Sequence, residues 1–242
     1  MRTMLTFRCG YLLLLGMLAS FACAQEVTVT ASVAARGGSK AGKTRSAGNV
    51  VVWLTPAEGT VIPTADAAAP PPRLVQKNKS FQPHILVVRV GSFVEFPNHD
   101  PFFHNVFSLF EGKRFDLGLY EAGTTRKVLF DKPGVSYIFC NIHEEMSAVV
   151  IAVNSPYYAI SDRQGQVVIP HVTPGKYIFR VWYEGAMPDA LGDLTREVSI
   201  SEGSSSLGLL RLPASTPSAT HQNMYGGDYA PPAPNSPTYE HP

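Results

Sequence analysis

The sequence predicts an all-β fold, built as a Greek-key sandwich with a second small β-sandwich and a disordered C-terminal tail. Short runs rich in Val, Ile, Phe and Tyr recur between turn signals, and the 242 residues include 20 glycines and 20 prolines, which favours strands over helices. The turn spacing in the central part of the chain is typical of Greek-key sandwiches and barrels. The formal net charge is +1, so no basic field indicates nucleic acid as a partner.

The first 24 residues have the charge and hydropathy order of a secretory signal peptide. Arg2 and Arg8 precede an apolar run at 11–19, and small residues end the segment at Ala24, after which we expect cleavage. The apolar run is too short for a membrane span, and no other stretch reaches the roughly 18 to 20 apolar residues that a spanning helix needs. We therefore expect a periplasmic or secreted protein without a membrane span.

A lipid anchor on Cys23 is the alternative for this N-terminus. It is less favoured because Ser20 stands where a lipoprotein signal normally has an aliphatic residue. Cleavage after Ala24 removes Cys9 as well as Cys23 and leaves Cys140 as the only cysteine. No intramolecular disulfide is therefore expected in the exported chain.

Strand candidates account for most of the chain between residues 26 and 212. Two of them flank a Gly-, Ser- and Lys-rich loop at 35–48, and a Pro- and Ala-rich stretch follows at 56–72. The candidates lie at 26–33, 49–54, 73–82, 85–90, 92–96, 105–109, 124–130, 135–140, 148–153, 157–161, 166–169, 176–183, 195–201 and 207–212. From residue 213 onwards, aliphatic side chains are too few to offset the entropy of ordering, which predicts a disordered tail.

One short loop brings together a thiol, an imidazole and a thioether, on Cys140, His143 and Met146. A mononuclear blue-copper site uses two imidazoles and one thiolate, with a weak axial thioether, so this loop supplies three of the four ligands. A lone cysteine can also be a buried small hydrophobe or a nucleophile. The remaining imidazole must come from elsewhere, and a connecting loop in the central region offers both His99 and His104.

Several further motifs follow in a fixed order between residues 73 and 153. They are Gly91, Val94-x-Phe96-x-Asn98, His104-Asn105, Phe130-x-x-Pro133-Gly134, Tyr137 and Cys140-x-x-His143-x-x-Met146. This series resembles that of a cupredoxin, and its spacing is most similar to amicyanin, followed by plastocyanin and pseudoazurin. The short gap between His143 and Met146 is the feature that resembles amicyanin.

The resemblance implies one mononuclear type 1 copper ion as the cofactor. By position, His104 matches the first copper imidazole and Cys140 the thiolate. His143 matches the second, more exposed imidazole, and Met146 matches the axial ligand. The resemblance further implies that the edge of the His143 ring is the route by which electrons leave.

The residues beside these ligands follow the family pattern only in part. Asn105 matches a residue whose side chain ties the two ligand loops together, and Asn98 belongs to the same supporting shell. His99 falls on a variable position and is interpreted as a surface or supporting residue. Glu144 and Glu145 depart from the pattern, because relatives usually have uncharged residues there; their charge is expected to lower the reduction potential or to steer a basic partner.

The tail carries further side chains of the types that can act as metal ligands. His221, Met224 and His241 could hold a metal ion loosely, but nothing rigid is predicted to hold them in a coordination geometry. Solvated tail residues are the favoured interpretation.

A second set of motifs lies after Asn154. It comprises Ser161-Asp162-Arg163-Gln164-Gly165, Ile169-Pro170-x-Val172-x-Pro174-Gly175-x-Tyr177 and Val181-Trp182. This set resembles the carboxypeptidase regulatory-like, transthyretin-like sandwich, which normally begins with two strands like those at 26–54. We therefore expect the cupredoxin to be inserted into that sandwich, with two sequential domains as the alternative. The predicted units are a signal peptide at 1–24, a discontinuous sandwich at 25–62 and 155–212, a linker at 63–72, a cupredoxin domain at 73–154 and a disordered tail at 213–242.

These features predict an exported type 1 copper protein that transfers single electrons to and from a redox partner protein. Enzymatic activity is not expected, because a fully ligated site keeps no open position for a substrate. One alternative is a periplasmic protein that binds or delivers copper without a redox partner. Another is a structural β protein whose site is vestigial.

Overall fold

The structure is a computed structural model that describes residues 25–36, 44–60, 70–109, 111–213 and 222–229. Within these ranges the chain forms β-strands and one short helix, α1 (Pro188–Gly192), which confirms the all-β prediction. No helix in the described ranges is long and apolar enough to cross a membrane. The predicted signal peptide, most of the predicted linker and the tail histidines His221 and His241 lie outside the described residues.

The strands follow one another from residue 27 to residue 212. They are β1 (Val27–Arg36), β2 (Thr44–Ser46), β3 (Val51–Pro56), β4 (Val75–Gln76), β5 (Phe81–Gln82), β6 (Ile85–Arg89), β7 (Ser92–Pro97), β8 (His104–Ser108), β9 (Phe115–Tyr120), β10 (Thr125–Phe130), β11 (Gly134–Cys140), β12 (Ser147–Val153), β13 (Tyr158–Ile160), β14 (Gln166–Val172), β15 (Gly175–Trp182), β16 (Arg196–Ile200) and β17 (Ser206–Leu212).

Strands from the two ends of the sequence share two sheets, which we call the terminal sandwich. One sheet has the order β14-β1-β17 with β2 beside β1, and the other has the order β13-β3-β15-β16. β1 runs antiparallel to β14 and parallel to β17. The first strands of the chain are therefore held by strands that follow them by more than 100 residues, and β4 to β12 lie between them in sequence.

β4 to β12 form the central unit. Its main sheet has five strands in the order β6-β12-β11-β8-β9, and β7 pairs with β10. β4 and β5 make a two-stranded hairpin. Isolated bridges join Arg73, before β4, to Glu95 of β7, and Gln76 of β4 to Asn98, just after β7. The ends of β8 and β11, which carry the predicted metal ligands, are neighbours in the five-stranded sheet.

β12 is buried on both of its faces. Ala148 and Val150 belong to the core that contains Met146, whereas Val149 and Ile151 belong to the core of the terminal sandwich. A strand that is covered on both faces reads as a continuous apolar run, as residues 148–153 do. β12, which follows the loop from Cys140 to Met146 (called the metal loop below), is therefore held in place by two cores.

Two parts of the central unit differ from the sequence expectation. The strand predicted at 73–82 is broken into β4 and β5, because Asn78 and Lys79 adopt the left-handed conformation, with φ of 55° and 52°. β9 was not among the strand candidates from the sequence. Its Gly118 has a φ of 64° opposite an irregularity in β8. Asp116 and Gly118 are residue types that are rare inside strands, so the sequence of this segment did not indicate a strand.

Candidate metal centre

His104, Cys140 and His143 come together at one end of the central unit. His104 is the first residue of β8 and Cys140 the last of β11, while His143 lies in the turn before β12. Cys140 Sγ is 3.6 Å from His104 Nδ1 and 3.5 Å from His143 Nδ1. One ligand atom of each residue lies within 4.8 Å of the others, and all three residues are buried.

These separations fit a first-row transition metal ion. Bonds of about 2.0–2.1 Å to nitrogen and 2.3 Å to sulfur, at angles between tetrahedral and trigonal, place the two ligand atoms roughly 3.6–3.8 Å apart. The two nitrogen to sulfur distances are close to this range. Imidazole and thiolate ligands suit copper or zinc, whereas magnesium and calcium require oxygen ligands.

Met146 lies at the end of the same loop. It is fully buried and belongs to the core cluster that contains Cys140. The loop is closed by two backbone hydrogen bonds, because Cys140 N donates to Met146 O at 3.2 Å and Met146 N donates to His143 O at 3.1 Å. The backbone therefore fixes the thioether-bearing residue relative to the other two members of the loop.

Asp100 sets the orientation of the His104 ring. Its Oδ2 lies 2.9 Å from His104 Nε2, and both side chains are almost completely buried. When Nε2 carries the proton and donates it to the carboxylate, Nδ1 is left as the free lone pair that points towards Cys140. Burial lowers the pKa of His104, although Asp100 opposes this effect, so the ring is neutral near pH 7 and competent to bind a metal.

Asp100 is itself held by the β4–β5 hairpin. Asn78 N donates to Asp100 Oδ1 at 2.5 Å and Lys79 N donates to Oδ2 at 3.0 Å. Burial acts to raise the pKa of Asp100, but these two backbone donors and His104 together bring it below its usual value. The carboxylate is therefore charged, and it links the left-handed turn to the imidazole.

The Cys140 thiol lies in an environment with opposing electrostatic effects. Burial raises its pKa, while hydrogen bonds from the backbone N–H groups of Ile142, Asn105 and His143 lower it, and the net direction is upwards. Backbone donors directed at the sulfur stabilise its thiolate form, which is the form that binds a metal. The site therefore has a thiol that is protonated at pH 7 and donors already arranged for the deprotonated sulfur.

His143 is less buried than His104 but is still only 8% exposed. Burial, followed by the nearby His104 ring, lowers its pKa to about 4, so it is neutral near pH 7. The ring of Phe102 lies 5.3 Å from the His104 ring and 5.5 Å from the His143 ring. An aromatic side chain thus packs beside both imidazoles and excludes water from them.

The two asparagines support the centre in different ways. Asn105 O accepts from Asn141 N at 2.9 Å, so the backbone of Asn105 joins the two ligand loops, while its side chain donates to Asp116 at 2.7 Å. Asn98 Oδ1 accepts from Asp100 N and its Nδ2 donates to Phe102 O. Asn98 therefore shapes the loop that carries Asp100 and leads to His104.

The other sequence candidates lie apart from the cluster. His99 is exposed and is absent from the group of side chains that can share a metal. Glu144 and Glu145 are exposed, yet the charge of Glu145 acts to raise the pKa of both Cys140 and His143. Of this pair, Glu145 is therefore the carboxylate whose field reaches both ligands.

The sequence reasoning missed two contributors, Asp100 and the segment 222–229. Asp100 precedes His104 by four residues, and that spacing on a loop is the only signal that could have identified it. Residues 222–229 form a turn that contacts the metal loop, whereas their composition predicted a disordered tail.

The fold and the site define an all-β protein with a buried His/Cys/His cluster suited to a metal ion. No family model and no curated protein matches the chain. Among solved structures, a Cu-containing nitrite reductase from Thermus scotoductus SA-01 is 26% identical, with a TM-score of 0.34, over 39% of this chain and 25% of that chain.

Two further solved structures match part of the chain. A purple cupredoxin from Nitrosopumilus maritimus is 21% identical, with a TM-score of 0.31, over 34% of this chain and 99% of that chain. A Cu(I) structure of an amicyanin mutant is 18% identical, with a TM-score of 0.31, over 34% of this chain and 80% of that chain. Each match covers a minority of this chain, so the functional inference rests on the metal centre itself.

Proposed function

We propose that this chain is an exported type 1 copper protein that transfers single electrons. The observation that carries the proposal is the buried cluster in which Cys140 Sγ lies 3.6 Å and 3.5 Å from the Nδ1 atoms of His104 and His143. Two imidazoles and a thiolate are ligands of a blue-copper site, so His104, Cys140 and His143 would hold the ion, and Met146 would be the fourth ligand. Bound copper would supply one-electron chemistry by cycling between Cu(I) and Cu(II).

The arrangement of the protein groups favours a ligand set that changes little between the two oxidation states. Asp100 and Phe102 hold the His104 ring, and nearby backbone N–H groups act to lower the pKa of the Cys140 thiol against the effect of burial. Ligands fixed by hydrogen bonds of their own have little freedom to rearrange. This rigidity suits electron transfer better than catalysis at the metal, which requires an open coordination position.

His143 is the proposed exit route for the electron, since it is the more exposed of the two imidazoles. Glu145 lies close enough to affect both His143 and Cys140. A negative charge there would favour the oxidised, more positive metal and lower the reduction potential. It would also favour a redox partner with a basic docking surface.

The test is an absorption spectrum of the chain from residue 25 onwards, titrated with Cu(II). We expect an intense visible band from thiolate-to-Cu(II) charge transfer that disappears on reduction and returns on oxidation. Cys140→Ser should abolish the band. The matched control is His99→Ala, which changes an exposed histidine outside the cluster and should leave the band unchanged.

Two results would reject the proposal. A colourless protein that holds only Cu(I) would indicate copper storage or delivery without a redox partner. A protein that binds no copper would indicate a structural role. Growth of the source cells with the tagged full-length chain and fractionation would separately test the proposed export.

A further inference from the structure

Residues 222–229 contact the metal loop at two points. Met224 N donates to Asn141 Oδ1 at 2.9 Å, and the Tyr229 hydroxyl donates to Cys140 O at 2.9 Å. Both acceptors belong to the loop between the thiol and His143. The contacts join positions more than 80 residues apart in sequence, so they are tertiary contacts of the folded chain.

The segment has a defined turn of its own, centred on Asn223. Asn223 Oδ1 accepts from Tyr225 N at 3.0 Å and from Gly227 N at 3.1 Å, and Asn223 Nδ2 donates to Asp228 O at 2.9 Å. Gly226 has a φ of 75°, which a glycine adopts without the penalty of a side chain. Local hydrogen bonds of this kind shape the segment so that the two contacts can form together.

The contact at Tyr229 places a partly buried side chain beside the centre. Burial raises the pKa of its hydroxyl to about 12, and the nearby Cys140 and Glu144 act in the same direction. The hydroxyl therefore stays protonated and remains a donor to the Cys140 carbonyl throughout the physiological range. By contrast, Tyr225 in the same turn is 83% exposed.

We propose that residues 222–229 form a strap that closes over the Cys140–His143 loop and controls access to the metal. The proposal rests on the copper site proposed above. A loop with a ligand at each end must flex to release its metal, and a segment bonded to Cys140 O and to the Asn141 side chain resists that movement.

The strap bonds the loop through hydrogen bonds of ordinary length at Met224 and Tyr229, and bonds of this kind can break so that the strap opens. Loss of a single hydrogen bond of typical net strength shifts the equilibrium between the closed and the open strap by roughly two- to tenfold. Removal of one contact should therefore raise the open population by about that factor, and removal of the whole strap should raise it further. The rate at which a chelator removes the metal through the open state should rise in proportion.

The experiment compares the chain from residue 25 onwards with three variants of it. Tyr229→Phe removes the hydroxyl that bonds Cys140 O, and a stop after Pro213 removes the strap entirely. Tyr225→Phe is the matched control, because it makes the same chemical change in the same turn at an exposed side chain. Each protein is loaded with Cu(I), and transfer of the metal to bicinchoninate is followed by absorbance.

We expect transfer to be roughly two- to tenfold faster for Tyr229→Phe, faster still for the truncated chain, and unchanged for Tyr225→Phe. A second readout uses the proteins without metal, in which amide hydrogen exchange at 140–143 should be faster in the truncated chain. Equal transfer rates for the truncated and full chains would overturn the proposal that the strap controls access to the metal. Failure of every chain to bind copper would instead overturn the proposed copper function.

Discussion

Replacement of Asp100 by alanine tests the hydrogen bonds that support His104. The substitution leaves His104 Nε2–H without its acceptor in a site where the ring is fully buried. An unpaired buried donor costs about 1–3 kcal/mol, and each of the two backbone hydrogen bonds lost from the β4–β5 turn contributes about 0.5–1.5 kcal/mol. We expect the free energy of unfolding of the metal-free protein to fall by about 2–6 kcal/mol.

The assay is denaturant unfolding of the metal-free protein, combined with copper affinity measured by competition with a chelator. Loss of a supporting carboxylate typically lowers metal affinity about 10- to 100-fold. Asp131→Ala is the control, because Asp131 forms an exposed ion pair with Lys113 in the same central unit and such pairs contribute little. The role assigned to Asp100 would be refuted if Asp100→Ala had a free energy of unfolding within about 1 kcal/mol of the parent protein and an unchanged affinity for copper.

Three further predictions follow from the electrostatics of the site. At pH 7 the imidazoles are neutral and the Cys140 thiol is protonated, so copper binding should release about one proton. Calorimetry in buffers of different ionisation enthalpy measures the number of protons released. Release of about zero or about two protons would contradict the prediction. The pKa of His143 is about 4 when folded and 6.5 as the unperturbed value, so the unfolded chain binds more protons between these values. The metal-free protein should therefore lose stability as the pH falls from 6.5 towards 4, and unfolding midpoints that stay constant across this range would contradict it. Glu145→Gln should raise the reduction potential more than Glu144→Gln does, measured by voltammetry, and equal shifts would count against a specific effect of Glu145.

The sequence could indicate the cluster of His104, Cys140 and His143 because two of its three members are close neighbours in the chain. Cys140, His143 and Met146 are separated by fixed short gaps on one loop, and the compactness of the loop limits how far apart they can lie. His104 begins β8, and the pairing of β8 with β11 places it near Cys140. The roles of Asn105 were harder to assign, because its side chain and its backbone bond different partners.

The parts that the sequence did not predict depend on contacts between distant segments. Asp100 acts only because the turn at Asn78 and Lys79 comes to lie beside it, and no local periodicity marks that approach. The strap has a composition that cannot form a core of its own. Its local turn at Asn223 is joined to the rest of the fold by polar contacts with Cys140 and Asn141, which no pattern within residues 222–229 could indicate.

The surroundings of the metal loop differ sharply between its two sides. On the inner side, β12 begins one residue after Met146 and is packed between two apolar cores, which resist movement because close packing leaves no free volume. On the outer side, the strap adds polar contacts that can break one at a time. Movement of the loop should therefore begin at Asn141, beneath the strap, and not at Met146. The proposed electron transfer needs rigid ligands and a route by which copper can enter, and this asymmetry would provide both.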